Sequence, residues 1–166
     1  MLKLRKNKKG FTLVELIVVI AIMAVLAGVV AGVTVSQLNK QTDKTGQSQA
    51  NTVAQFLSQC ALTGEGEITT ESVGDDNVTT TTFVQAKLTE LLTKQYQSAS
   101  IKVDGTGGRG NVKVSIVPEN ATGTDATHKG SIKIYYQGKQ SGTTGDVTYY
   151  VAVDGTITKV TPGAGA

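Results

Sequence analysis

This chain of 166 residues has one cysteine, one histidine, no tryptophan and two prolines, of which the first is Pro118. Each shortage excludes something. Cys60 alone cannot close an intramolecular disulfide, so packing must hold the domain together. Most zinc sites need several His or Cys ligands, and most nucleophile-plus-base arrangements need a His base. With His128 as its one imidazole, the chain is predicted to be no enzyme and to hold no metal or cofactor. The length suits one compact domain plus a membrane element and leaves no room for a second large domain. Basic excess is also missing once position is considered. Of 16 Lys and Arg, five (Lys3, Arg5, Lys6, Lys8 and Lys9) sit before residue 10, leaving 11 against 13 acidic residues. The body is slightly acidic, so its net charge gives no argument for nucleic-acid or acidic-lipid binding.

What is present is concentrated near the N-terminus. After MLKLRKNKKG comes FTLVELIVVIAIMAVLAGVVAGVTV, 25 residues with one charge, Glu15. As a helix the run spans roughly 38 Å, enough for a hydrocarbon core of about 30 Å. The basic cluster before it stays cytoplasmic under the positive-inside rule, which places everything after about residue 36 on the far side. Three readings compete. A secretory signal with a cut near Val29-Val30-Ala31 would need a shorter apolar region without a charge. A plain anchor fits the length but leaves Glu15 an unexplained cost, up to about 3 kcal/mol at mid-bilayer and less near the interface.

The third reading rests on Gly10-Phe11-Thr12-Leu13-Val14-Glu15 after a short Lys-rich leader. This resembles the processing site of the type IV pilins and the type II secretion pseudopilins, prepilins with a class III signal. The resemblance covers residues 3 to about 27; beyond that it is architectural. It implies that a prepilin peptidase cuts between Gly10 and Phe11 and that Phe11 is then N-methylated. It also implies that Glu15 meets the N-terminal amine of a neighbouring subunit during assembly. An amine and a carboxylate in an apolar bundle are costly apart and compensate one another when paired, so Glu15 reads as a register pin. The partners implied are copies of the chain and other pilins in a helical filament, the peptidase, and the inner-membrane assembly machinery. Many relatives have a proline about twenty residues into the mature helix, where this chain has Gly32, with Gly28 a turn earlier. These glycines permit either local melting or close helix packing through a small-xxx-small spacing.

Val53, Ala54, Leu57, Cys60 and Ala61, with Phe56 beside them, recur at helical spacing and predict that the helix continues as an amphipathic rod to about Leu62. Gly46 is its predicted weak point, and Cys60 falls on the apolar stripe as a buried thiol. Residues 63–82, rich in Gly, Thr and acid, read as a loop. Val84, Leu88, Leu91 and Leu92 predict a short helix over 83–97, with Thr82 and Gln85 spaced as a capping box. From residue 100 the period becomes two, and strands are predicted over 101–103, 112–117, 132–137, 147–153 and 156–160. Asp154-Gly155 marks the last hairpin. The predicted fold is α+β: a long N-terminal helix, transmembrane over 11–35 and amphipathic beyond, against an antiparallel sheet within a head of residues 36–166. The resemblance implies the same pilin fold. The missing second cysteine points, under that resemblance, to a Gram-positive source.

Weaker signals have plainer alternatives. Gly105-Thr106-Gly107-Gly108-Arg109-Gly110 matches a dinucleotide fingerprint, but a strand rather than a helix follows it. Asn77 and Asn120 head glycosylation sequons, Asp75-Asp76 offers a weak calcium ligand pair, and His128 reads as a solvated side chain. In Tyr135-Tyr136 and Tyr149-Tyr150 one ring of each pair should face the core. Outward rings beside Lys133, Lys139 or Arg109 offer a surface for adhesion or nucleic acid, with ordinary sheet surface the favoured alternative. The expectation is a non-enzymatic filament subunit, held in the membrane as a precursor and extracellular when assembled. It would serve motility, adhesion or DNA uptake; the alternatives are a secretion or competence pseudopilin and a tethered binding domain that never polymerises.

Overall fold

A computed structural model describes residues 10–73, 79–97, 101–103, 106–139 and 145–161. The basic residues of the leader, Asp75, Asp76, Asn77 and Gly105 lie outside the described residues. Helix α1, Leu13–Thr63, carries no proline, and its residues fall in two compact units that divide between Leu38 and Asn39. In the first unit the large apolar side chains from Leu13 to Leu38 are all exposed. By length and composition this helix can cross a membrane.

In the second unit Asp43, Gly46, Ala50, Val53, Ala54, Leu57 and Cys60 are buried. Steps of three and four place them on one stripe of the helix. The stripe packs into a core with Ile68, Phe83, Leu88 and Leu92 and with the inner face of a five-stranded sheet. The buried apolar side chains are worth about 1.5–3 kcal/mol each for the larger ones, which is what holds a head with no disulfide. Gly46 is not a weak point. A Cβ there would overlap the Tyr136 ring, so the glycine lets that ring lie directly on the helix backbone.

Within the segment read as a loop, residues 69–73 and 79–82 are strand. Strands β1 (Thr69–Val73) and β2 (Thr79–Phe83) form an antiparallel hairpin with Thr69 opposite Phe83. Among its described residues only Phe83 is buried, so the backbone ladder rather than apolar burial defines it. Helix α2, Gln85–Gln95, buries Leu88 and Leu92. The expected Thr82–Gln85 capping box is absent because Thr82 belongs to β2 and Val84 stands at the cap. The Gln85 amide donates instead to the Val103 carbonyl, at 3.0 Å.

The main sheet runs β3 (Ile101–Lys102), β4 (Val112–Ile116), β5 (Ile132–Tyr136), β6 (Val147–Val151) and β7 (Ile157–Val160), in that spatial order. It is mixed rather than wholly antiparallel: β3 pairs with β4 in parallel, and every other neighbour is antiparallel. Between β3 and β4, Gly107 and Gly110 take positive φ. The Asp154-Gly155 hairpin forms as expected, with Gly155 at φ 79°, its N–H donated to the Ala152 carbonyl, and the Asp154 carboxylate accepting from the Thr156 N–H.

The tyrosine pairs differ. Tyr136 points inward and Tyr135 outward, as the pleat requires, yet Tyr149 and Tyr150 are both buried, at 6% and 3% exposure. The reason is the connection from β4 to β5. Its 3-10 turn, Gly123–His128, folds over the outer face, where His128 stacks on Tyr150 at 3.9 Å and the Tyr150 hydroxyl donates to Asp125. His128 is therefore half-buried against a ring, not solvated.

Candidate assembly site

The elements of the N-terminal site are local. Thr12 precedes the first residue of α1, and Glu15 lies three residues after it, the spacing of a capping box. The geometry is complete. The Thr12 N–H donates to Glu15 Oε2 at 2.8 Å, the Thr12 hydroxyl donates to the same oxygen at 2.9 Å, and the Glu15 N–H donates back to Thr12 Oγ1 at 3.3 Å. The Leu16 N–H then bonds the Thr12 carbonyl, closing the first helical turn. A carboxylate in this turn also faces the positive end of the helix dipole.

This cap changes the cost of Glu15. A carboxylate among exposed leucines and valines would be expensive in hydrocarbon, but two donors from its own chain already satisfy one oxygen. Among the described residues Oε1 has no hydrogen bond, so it remains for a donor from outside the helix. Gly10 and Phe11 are both exposed, Phe11 to 90%, and lie before the helical ladder, so the bond between them is accessible and outside the helix. An amine created at Phe11 would stand one residue before the cap. The pattern Thr12-x-x-Glu15 was visible in the sequence as a capping box, and the reading of Glu15 as a register pin passed over it.

The other sequence candidates are scattered. Cys60 lies in the core, and burial, then the nearby Glu65 charge, pushes its thiol up, away from reactivity. Arg109 donates to the Gly138 carbonyl at 2.9 Å, and β4 follows the glycine loop, so no helix N-terminus is placed for a phosphate. Asn120 is exposed beside the turn in which the Ala121 N–H bonds the Pro118 carbonyl. Asp125 accepts from Lys133 at 2.7 and 2.9 Å; burial works to raise its pKa, but the Lys133 and Tyr150 hydrogen bonds and the Lys133 charge win and lower it.

A second polar cluster escaped the sequence reading. Asp43 Oδ1 accepts from the Tyr136 hydroxyl at 3.0 Å and from the Lys139 N–H at 2.8 Å. Asp146 accepts from the Gly138 N–H at 2.7 Å and from the Tyr135 hydroxyl at 2.9 Å, and the Gln47 amide donates to the Gly145 carbonyl at 2.8 Å. Burial and the bond to Asp146 push the Tyr135 phenol up to about 12; burial and Asp43 push Tyr136 higher still. These bonds clamp the ends of the β5–β6 connection to the helix. The cluster is structural, and no periodicity announces it because its partners are about a hundred residues apart.

The model of the prokaryotic N-terminal methylation motif matches residues 5–31, the span that includes Gly10, Phe11, Thr12 and Glu15. Comparison with curated proteins and with solved structures gave no match.

Proposed function

We propose that this chain, which carries the methylation motif that is the hallmark of type IV pilins and pseudopilins, is a structural subunit of an extracellular type IV pilus-like filament. The precursor sits in the membrane with its basic leader cytoplasmic and its head outside. A prepilin peptidase removes residues 1–10, Phe11 becomes the methylated N-terminus, and copies assemble through the helix of residues 11–35.

One observation carries this reading: the methylation motif opens a helix whose apolar side chains from Leu13 to Leu38 are all exposed, with a single carboxylate at its start. A membrane covers such a surface in the precursor, and neighbouring copies of the same helix cover it in a filament. Glu15 supports the second state. Capped by Thr12, it is tolerable in a membrane, and its free oxygen is the natural acceptor for a neighbour's Phe11 amine. Assembly then exchanges lipid for protein around the apolar helix.

The test is intact mass and N-terminal peptide analysis of the protein from its own cells, with electron microscopy of sheared surface fibres. The expected chain begins at Phe11 with one added methyl group and is recovered in the fibres. A chain that still begins at Met1, or is cut near Ala31, overturns the reading. A correctly processed chain absent from every fibre would leave a tethered head and remove the filament.

A further inference from the structure

Charge in the head is segregated by position. Residues 45–86 contain five carboxylates and no lysine or arginine, whereas residues 102–139 contain six Lys and Arg against three acids. The fold turns this order into two separate faces of the second unit. Glu65, Glu67 and Glu71 are exposed and follow directly on the end of α1 at Thr63. Only Glu67 has an ionic partner among the described residues, Lys87 at 3.3 Å, in an exposed pair that is worth little. Lys94 and Glu90 lie beside that pair and offset one another.

The basic residues gather at the other end of the same helical segment. Lys139 is anchored to Asp43 through its backbone N–H, and its side chain lies across Gly110. Arg109 donates to the Gly138 carbonyl, Lys113 reaches the Gln137 side chain at 3.4 Å, and Lys102 lies across Gly107 on the neighbouring strand. Among the described residues, the carboxylates at this end, Asp43 and Asp146, are buried and committed to hydrogen bonds inside the head. Twenty residues of α1 separate Asp43 from Thr63, roughly 30 Å along the helix axis. Lys139, held at Asp43, and Lys113, paired with Tyr135 on the strand that reaches that end, therefore lie too far from Glu65, Glu67 and Glu71 to satisfy them directly.

We infer that the Lys113–Lys139 face of one head docks on the Glu65–Glu67–Glu71 face of the next copy in the filament. The inference rests on the filament reading and adds to it the head surface that selects the neighbour. Two different, complementary patches on one chain make a heterologous contact, the kind that propagates into an open helical array instead of closing a dimer. Opposite charges also disfavour the wrong arrangement, because basic face against basic face is repulsive. Assembly then has two separate controls: helix 11–35 supplies burial, and the heads supply order.

The experiment uses the full chain in its own cells, with three variants: K113E/K139E, E65K/E71K, and all four changes together. All four side chains are at least partly exposed and lie outside the core cluster. Each double reversal should lower filament number about tenfold or more, because it sets like charges face to face, while membrane level and the Phe11 N-terminus stay normal. The fourfold swap should recover most of the loss. Normal filament numbers in either double reversal overturn the inference, as does a fourfold variant no better than the doubles when its head resists protease like the unmodified one. If the unmodified chain itself makes no filament, the reading beneath the inference falls first, and that outcome is distinct from the others.

Discussion

Between Leu13 and Leu38 helix α1 presents leucine, valine and isoleucine on every side and buries none of them; between Asn39 and Thr63 the same helix buries seven residues along one stripe, and the rest, apart from Phe56, Ala61 and Leu62, is polar. The second segment is completed by its own chain, since the main sheet, α2 and the β1–β2 hairpin cover it. The first is completed only by something else. The contrast separates two kinds of apolar residue that a hydropathy profile scores alike: those that stabilise a fold and those that are an interface. Substitutions in the two segments should therefore fail in different assays.

The largest effect expected is at Glu15. Glu15→Ala removes both the cap on Thr12 and the acceptor for a neighbour's amine, so fibres should be lost while membrane insertion and head stability stay normal. Fibre counts by electron microscopy and membrane fractionation measure both. Fibres of normal length and number would show that Glu15 does not set the register.

In the other segment the loss should be in the fold. Leu57 is fully buried, and Leu57→Ala should destabilise the head by about 2–5 kcal/mol, seen as a lower Tm in the detergent-solubilised chain. Ile17→Ala, in the exposed segment, should leave that Tm unchanged. Equal shifts from the two would mean that the first segment also packs on the head.

The comparison also explains what the sequence made legible. The five strands of the main sheet were visible because Val112, Val114, Ile132, Ile134 and Val151 alternate with polar or outward residues and fall on one face. The β1–β2 hairpin was hidden because its Thr-rich strands place only Phe83 fully inward and so have no apolar alternation. Tyr150 misled because the pleat gives the side of a sheet on which a ring stands, and not whether a turn such as Gly123–His128 will cover that side. The parallel β3–β4 pair is two residues long, too short for any pattern. At the site, the residues Gly10, Phe11 and Glu15 could be nominated from the sequence. The Thr12 cap was also written there, but as helix chemistry and not as processing chemistry.

Alkaline pH should destabilise the folded head. Tyr135, Tyr136 and Tyr150 have phenols raised by burial first and then by the carboxylates they bond. A raised folded pKa contributes stability that is fully present below the unfolded value near 10 and is lost as pH rises from there through the folded pKa. At pH 11 each such group should cost the head about 1.4 kcal/mol relative to neutral pH. Phenolate absorbance should then rise together with loss of the folded circular dichroism signal. Ionisation of these rings at pH 11 with the fold intact would mean that the Asp43 and Asp146 bonds are weak.

The smallest and sharpest contrast is between glycines on one helix. At Gly46 a methyl group would overlap the Tyr136 ring, and that ring is fixed at its hydroxyl by Asp43. Gly46→Ala should gain helix propensity yet lose about 1–3 kcal/mol of head stability, because the ring cannot move without leaving its partner. At Gly32 a Cβ meets nothing within 4 Å, so Gly32→Ala should leave the head Tm unchanged and favour the helix by up to about 1 kcal/mol. Gly32→Leu then asks what covers that face in the fibre. If neighbouring helices approach at the Gly28-x-x-x-Gly32 spacing, leucine should reduce fibre number where alanine does not, with head Tm unaffected by either. If both variants assemble normally, close approach at these glycines is excluded, and contact through the larger side chains from Leu13 to Leu26 is left to hold the filament core.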